Sequence, residues 1–172
     1  MVPSLDQTPS DSYVWAYPGC PIRILLSLHV IQQLQAEVAR AGEGGEIGGL
    51  LIRSKRSEPN ITRIVDFIPL VSEGKGPGQR YKLSSLPMEE AIARCPSDLK
   101  IVGYYRTGND QRVHLRPDDL DTIERWFKDP ANIFLVIVPT EEESGSQQDS
   151  SSGRTARWPR TQALLSRLPP IN

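Results

Sequence analysis

Histidine and cysteine are scarce in this 172-residue chain, with two of each. His29 and His114 stand far apart, and Cys20 and Cys95 have no Cys-x-x-Cys spacing. Zinc frameworks built on thiolates are therefore not expected. The two cysteines read as unrelated reduced thiols of a cytoplasmic protein. Charge of one sign is also missing: the net charge is -1. That gives no global attraction to nucleic acid or to an anionic membrane. No apolar run reaches the ~20 residues of a membrane-crossing helix. The opening Met1-Val-Pro-Ser-Leu-Asp6 lacks the basic and apolar regions of a secretory signal. There is no internal repeat.

What is present is an alternation of strand-like and helix-like segments, which predicts an α/β (α+β) domain over about residues 14–139. Residues 1–13 read as a flexible N-terminus, and Tyr13, Trp15 and Tyr17 alternate as an edge segment with one buried face would. An apolar strand follows at Ile22–Leu26. Ser27 suits the N-cap of a helix reaching about Arg40, with Ile31, Leu34 and Val38 at helical spacing. Glu46–Arg53 and Ile61–Leu70 are dense enough in apolar residues for strands buried on both faces. Ser72–Gln79 is a Gly-containing loop without the Lys-Ser or Lys-Thr ending of a phosphate loop. Tyr81–Ser84 reads as a short strand. Pro87–Arg94 reads as a helix with Met88, Ala91 and Ile92 inward, and Lys100–Arg106 as a buried strand. Pro117 suits the first position of a helix to Lys128, with Asp118 and Asp119 in the first turn and Leu120, Ile123, Trp126 and Phe127 on its apolar face. A last strand is expected at Ile133–Val138. Residues 140–153 are acidic and then rich in Ser, Gln and Gly, as linkers are. Residues 154–172 carry four arginines and no acid. There Trp158, Leu164, Leu165 and Leu168 suggest a short docking helix.

Two stretches carry the chemistry: Val102-Gly-Tyr-Tyr-Arg-Thr-Gly-Asn109 and Leu115-Arg-Pro-Asp-Asp119, preceded by Glu46-Ile-Gly-Gly-Leu-Leu51. Together they resemble the MPN/JAMM (JAB-like, Mov34-type) family. Its motif is a buried strand ending G-W/Y-Y/H-H-S-H-P, then S-x-x-D at a helix start, with a glutamate earlier in the chain. The resemblance implies a mixed sheet flanked by helices, with a cytidine-deaminase-like architecture. It also implies a site made of Glu46, Arg106, Thr107, Gly108, Arg116 and Asp119. In the family, two histidines and the aspartate hold zinc, and the glutamate acts as general base on the zinc-bound water. Here Arg106, Thr107 and Gly108 stand at the His-Ser-His positions, and Arg116 stands at the serine of S-x-x-D. Glu46 and Asp119 remain.

Zinc catalysis needs imidazole and carboxylate ligands at short range, with one position left for water. A guanidinium offers only donors, and glycine has no side chain to offer. Two carboxylates facing one pocket without a metal would repel each other. Arg106 answers this if its planar fork takes the electrostatic place of the metal and pairs with Glu46, Asp119 or both. The reading that follows is a non-catalytic, pseudo-metalloprotease MPN/JAB-like domain that binds protein or serves as a scaffold. No cofactor is expected. A protein partner, a second copy of the chain or, by resemblance, a ubiquitin-like protein is the expected partner, and neither nucleic acid nor membrane. Two alternatives stay open. One is an atypical metal-dependent peptidase or isopeptidase using Glu46, Asp119 and His114, with zinc. The other is a small module that holds an anionic ligand on Arg106.

Overall fold

The computed structural model describes residues 12–16, 21–41, 45–56, 58–72, 79–108, 114–129, 131–138 and, by backbone, 162–166. Seven strands and three helices follow in the order β1 (Ser12–Ala16), β2 (Arg23–Ser27), α1 (Leu28–Ala41), β3 (Gly48–Ser54), β4 (Ile61–Leu70), α2 (Ser85–Arg94), β5 (Leu99–Thr107), α3 (Pro117–Trp126), β6 (Ile133–Val138) and β7 (Gln162–Ser166). The strands form one mixed sheet in the spatial order β1-β2-β4-β3-β5-β6-β7. The β2/β4 and β5/β6 pairs are parallel, and the other neighbours are antiparallel. The predicted α/β class is the one observed.

Side-chain alternation along the central strands builds a core on each face of the sheet. On one face Tyr105, Leu51 and Leu135 meet Val30, Ile31 and Leu34 of α1. On the other, Tyr104, Leu50 and Phe134 meet Met88 of α2 and Ile123 of α3, with Phe127 just beyond it. Burying each such side chain contributes about 1.5–3 kcal/mol. Burial on both sides is what the unbroken apolar runs of the sequence predict. The expected cap is also present: the Ser27 hydroxyl accepts a hydrogen bond from the Val30 N–H at 3.1 Å, which satisfies one donor of the first turn of α1.

Several expectations are corrected. Leu120 is 43% exposed, whereas Asp119 beside it is buried. The apolar face of α3 is thus turned by about one residue to bring a carboxylate inside. Ile92 is 48% exposed, so α2 packs through Met88 and Ala91 instead. Tyr81–Ser84 is not a strand, because the Tyr81 N–H bonds a carboxylate at 2.8 Å rather than a neighbouring strand. Residues 162–166, read as part of a docking helix, form β7 antiparallel to β6, with Leu165 opposite Leu135. The edge of β6 offers a row of backbone partners, and pairing them outweighs the helical spacing of three leucines. Trp158, Leu168, Tyr17 and Cys20 lie outside the described residues.

Candidate functional site: a buried double ion pair

The site lies at the C-terminal end of β5, where β3 begins and α3 starts. Gly48 of β3 is directly opposite Arg106 of β5. An added Cβ on Gly48 would lie 2.6 Å from the Tyr81 ring. Glycine here leaves room for that ring over the start of β3. By alternation Tyr104 and Arg106 share the face covered by α2 and α3, while Tyr105 and Thr107 share the α1 face.

Arg106 is 2% exposed, the largest of the fully buried side chains. Its Nε donates to Asp119 Oδ1 at 2.7 Å and its Nη2 to Oδ2 at 2.6 Å. This is a two-bond fork between planar groups, the geometry for which arginine is better suited than lysine. The guanidinium also donates to the main-chain carbonyls of His114 at 3.0 Å and Thr107 at 3.3 Å. Asp119 in turn accepts from the Tyr104 hydroxyl at 2.6 Å and from the Arg116 N–H at 2.7 Å. The latter is half of a capping box, with the third residue of α3 reaching back to its N-cap. Burial pushes the Asp119 carboxyl upward, but the bonds from Arg106, Tyr104 and the Arg116 backbone outweigh it and hold it below the usual carboxylate range. The Tyr104 hydroxyl is pushed far upward by burial first and by Asp119 next, so it remains a donor.

The second carboxylate has its own arginine. Arg116 donates Nη1 to Glu46 Oε2 at 2.6 Å and Nη2 to Glu46 Oε1. Tyr81 adds its backbone N–H to Oε2 at 2.8 Å. Both partners are buried. Gly108 lies between the two guanidiniums: a Cβ there would be 3.1 Å from Arg106 Nη1 and 3.7 Å from Arg116 Nη2. Thr107 points to the other face and stitches the strand end, its Oγ1 accepting from the Ile47 N–H at 2.8 Å.

All six predicted site residues therefore lie at one strand end, with Glu46, Arg106, Arg116 and Asp119 in the two ion pairs, Gly108 beside the guanidiniums and Thr107 turned to the other face. Arg106 pairs with Asp119, as one form of the expectation had it, while Glu46 goes to Arg116. That second pairing is missed in the sequence, where Arg116 reads only as a lost serine. The Tyr104 hydroxyl is missed as well. Its signal was its position two residues before Arg106, on the same face. His114 reaches the site through its carbonyl oxygen, and its residue is exposed.

A divalent cation fits these residues poorly. Every carboxylate oxygen of Glu46 and Asp119 already accepts from a donor, and the space between them is occupied by two cationic groups. Among the described residues no group of three His, Cys, Asp or Glu side chains is placed to hold a metal ion. Arg106 offers no open face to an anionic ligand, since its Nε, Nη1 and Nη2 donate to Asp119 and to carbonyls, and Arg116 directs Nη1 and Nη2 to Glu46.

No known family profile matches the chain, and no curated protein does. Among solved structures, one similar to it is the solution structure of a protein from Desulfitobacterium hafniense, with a TM-score of 0.51, 16% identity and 83% of each chain covered. That likeness concerns the fold alone. A second, from Salinibacter ruber, has a TM-score of 0.40 and 20% identity over 66% of this chain and 71% of that one.

Proposed function

We propose that this chain is a non-catalytic MPN/JAB-like domain that works by binding protein, with two buried arginine–carboxylate pairs where an active member would hold zinc. The observation that carries the reading is the placement of the Arg106 and Arg116 guanidiniums on Asp119 and Glu46. A general base needs a free oxygen to receive a proton from water. Glu46 instead has both oxygens bonded to donors. Removing either arginine would leave a buried uncompensated charge, which is the costly state for such pairs. The pairs thus hold β3, β5 and α3 together at a place where a metal ion would otherwise do so. The resemblance in the glutamate strand, the Gly103-Tyr104-Tyr105 strand and the Pro117–Asp119 helix start supports the family assignment. The partner under this reading is another protein, a ubiquitin-like fold or a second copy of the chain among the candidates, in the cytoplasm. Among the described residues no helix is long and apolar enough to cross a membrane. Cys95 is a free, half-buried thiol.

The test is elemental analysis of the purified protein together with its melting temperature, with and without a chelator and with added zinc. The reading expects no stoichiometric metal and an unchanged melting temperature. A stoichiometric metal whose removal lowers the melting temperature would overturn it in favour of the hydrolase using Glu46, Asp119 and His114.

A further inference from the structure

The other end of β5 carries a second feature, roughly 25 Å from the ion pairs along the strand. A groove of about 690 Å³ opens there, between the C-terminal ends of α2 and α3. Its apolar floor includes Met88, Ile92, Ile101 and Trp126, and Lys55, Lys100, Arg125 and Lys128 line it as well. Asp129 is the single acid among the described lining residues. It pairs with Lys100 at 3.3 Å, and the Arg125 guanidinium lies 5.4 Å from the centre of the Trp126 ring. Lys55 and Lys128 are exposed. The exposure of Ile92, which helical spacing predicts to be inward, is explained by neither the packing of α2 nor the ion-pair site.

We infer that this groove is a docking surface for an acidic partner segment that carries bulky aliphatic side chains. Cations around an apolar floor recognise that combination: charges steer and orient, and the aliphatic anchors supply the burial. The acidic run of this same chain matches only half of the requirement, because residues 141–153 contain no apolar side chain. Nucleic acid is disfavoured by the floor, which is mainly aliphatic and whose one tryptophan is already faced by Arg125. The inference rests on the reading of the chain as a protein-binding module and names where and what it binds.

The probe is a fluorescein-labelled peptide of aspartate and glutamate with two leucines, followed by fluorescence anisotropy on the full chain. Lys128→Glu and Ile92→Asp are both at exposed positions, and circular dichroism checks that each variant folds. Each is expected to weaken binding by about tenfold, and Arg40→Glu on α1 to change it by less than about twofold. Binding should also weaken as salt is raised. Absence of binding, or binding by both groove variants as strong as by the native chain, would overturn the inference. So would equal binding of a peptide with serine for leucine, equal binding of a peptide copying residues 141–152, or displacement by a short polyuridylate. These outcomes are separable from the metal test. A failed peptide removes the groove and leaves the metal-free reading standing, whereas a bound metal removes that reading whatever the peptide does.

Discussion

The two ends of β5 use the same kind of residue in opposite ways. At the C-terminal end, Arg106 and Arg116 are buried and bonded inward, Arg106 to Asp119 and backbone carbonyls and Arg116 to Glu46. At the N-terminal end, Lys55, Arg125 and Lys128 are exposed around an apolar floor. A buried guanidinium must be matched by acceptors of the same molecule, because leaving it unpaired away from water is expensive. An exposed ammonium carries no such requirement and remains available to a partner. Cations at the first end are thus bonded inside the molecule and Lys55 and Lys128 at the second face solvent, although the sequence writes both as Lys or Arg beside apolar residues.

The comparison is broken most severely by Arg106→Met. It strips Asp119 of two charged donors and two carbonyls of theirs, and about 3–5 kcal/mol of stability should be lost in denaturant unfolding. Arg116→Met should cost less, about 3 kcal/mol, since Glu46 keeps the Tyr81 N–H. If Arg116→Met proved the more damaging, the centre of the network would be Glu46 and not Asp119. Tyr104→Phe keeps the ring packing against Phe127 and Phe134 but removes one donor to Asp119. About 1.5–3 kcal/mol should be lost, the range for a hydrogen bond to a charged group.

Acid sharpens the same contrast. The Asp119 carboxyl is held below its unfolded value, so the unfolded chain binds its proton first. Its contribution is complete above the ordinary carboxylate pKa of about 4 and is lost as pH falls below that, through the folded value. Melting temperature followed downward from neutral pH should fall more shallowly in Asp119→Asn, whose side chain has no proton to take up, than in the native protein.

Much of this was legible in the sequence. Apolar density gave the doubly buried central strands, Ser27 gave a helix start, and Pro117 gave another. Arg106 was legible because two carboxylates expected to face one pocket repel each other, and a guanidinium between them relieves that repulsion. The rest was hidden for specific reasons. Helical spacing assigns Leu120 to the interior, but the demand of Arg106 for an acceptor turns α3 so that Asp119 lies inside. Arg116 precedes a proline, which fixes its backbone as extended and says nothing of where seven side-chain heavy atoms reach. The β7 strand is invisible in Ala163-Leu164-Leu165 because what selects it is the open edge of β6.

The most direct test of the central claim is a double-mutant cycle on Arg106 and Asp119, using Arg106→Met, Asp119→Leu and the pair, with stability measured by denaturant unfolding. If the two groups satisfy each other inside the protein, each single variant strands a buried partner. The double variant is then far less damaged than the sum of the singles, with a coupling of about 2 kcal/mol or more. Additive losses would contradict the account, because they would mean that Arg106 and Asp119 contribute independently and do not satisfy each other inside the protein.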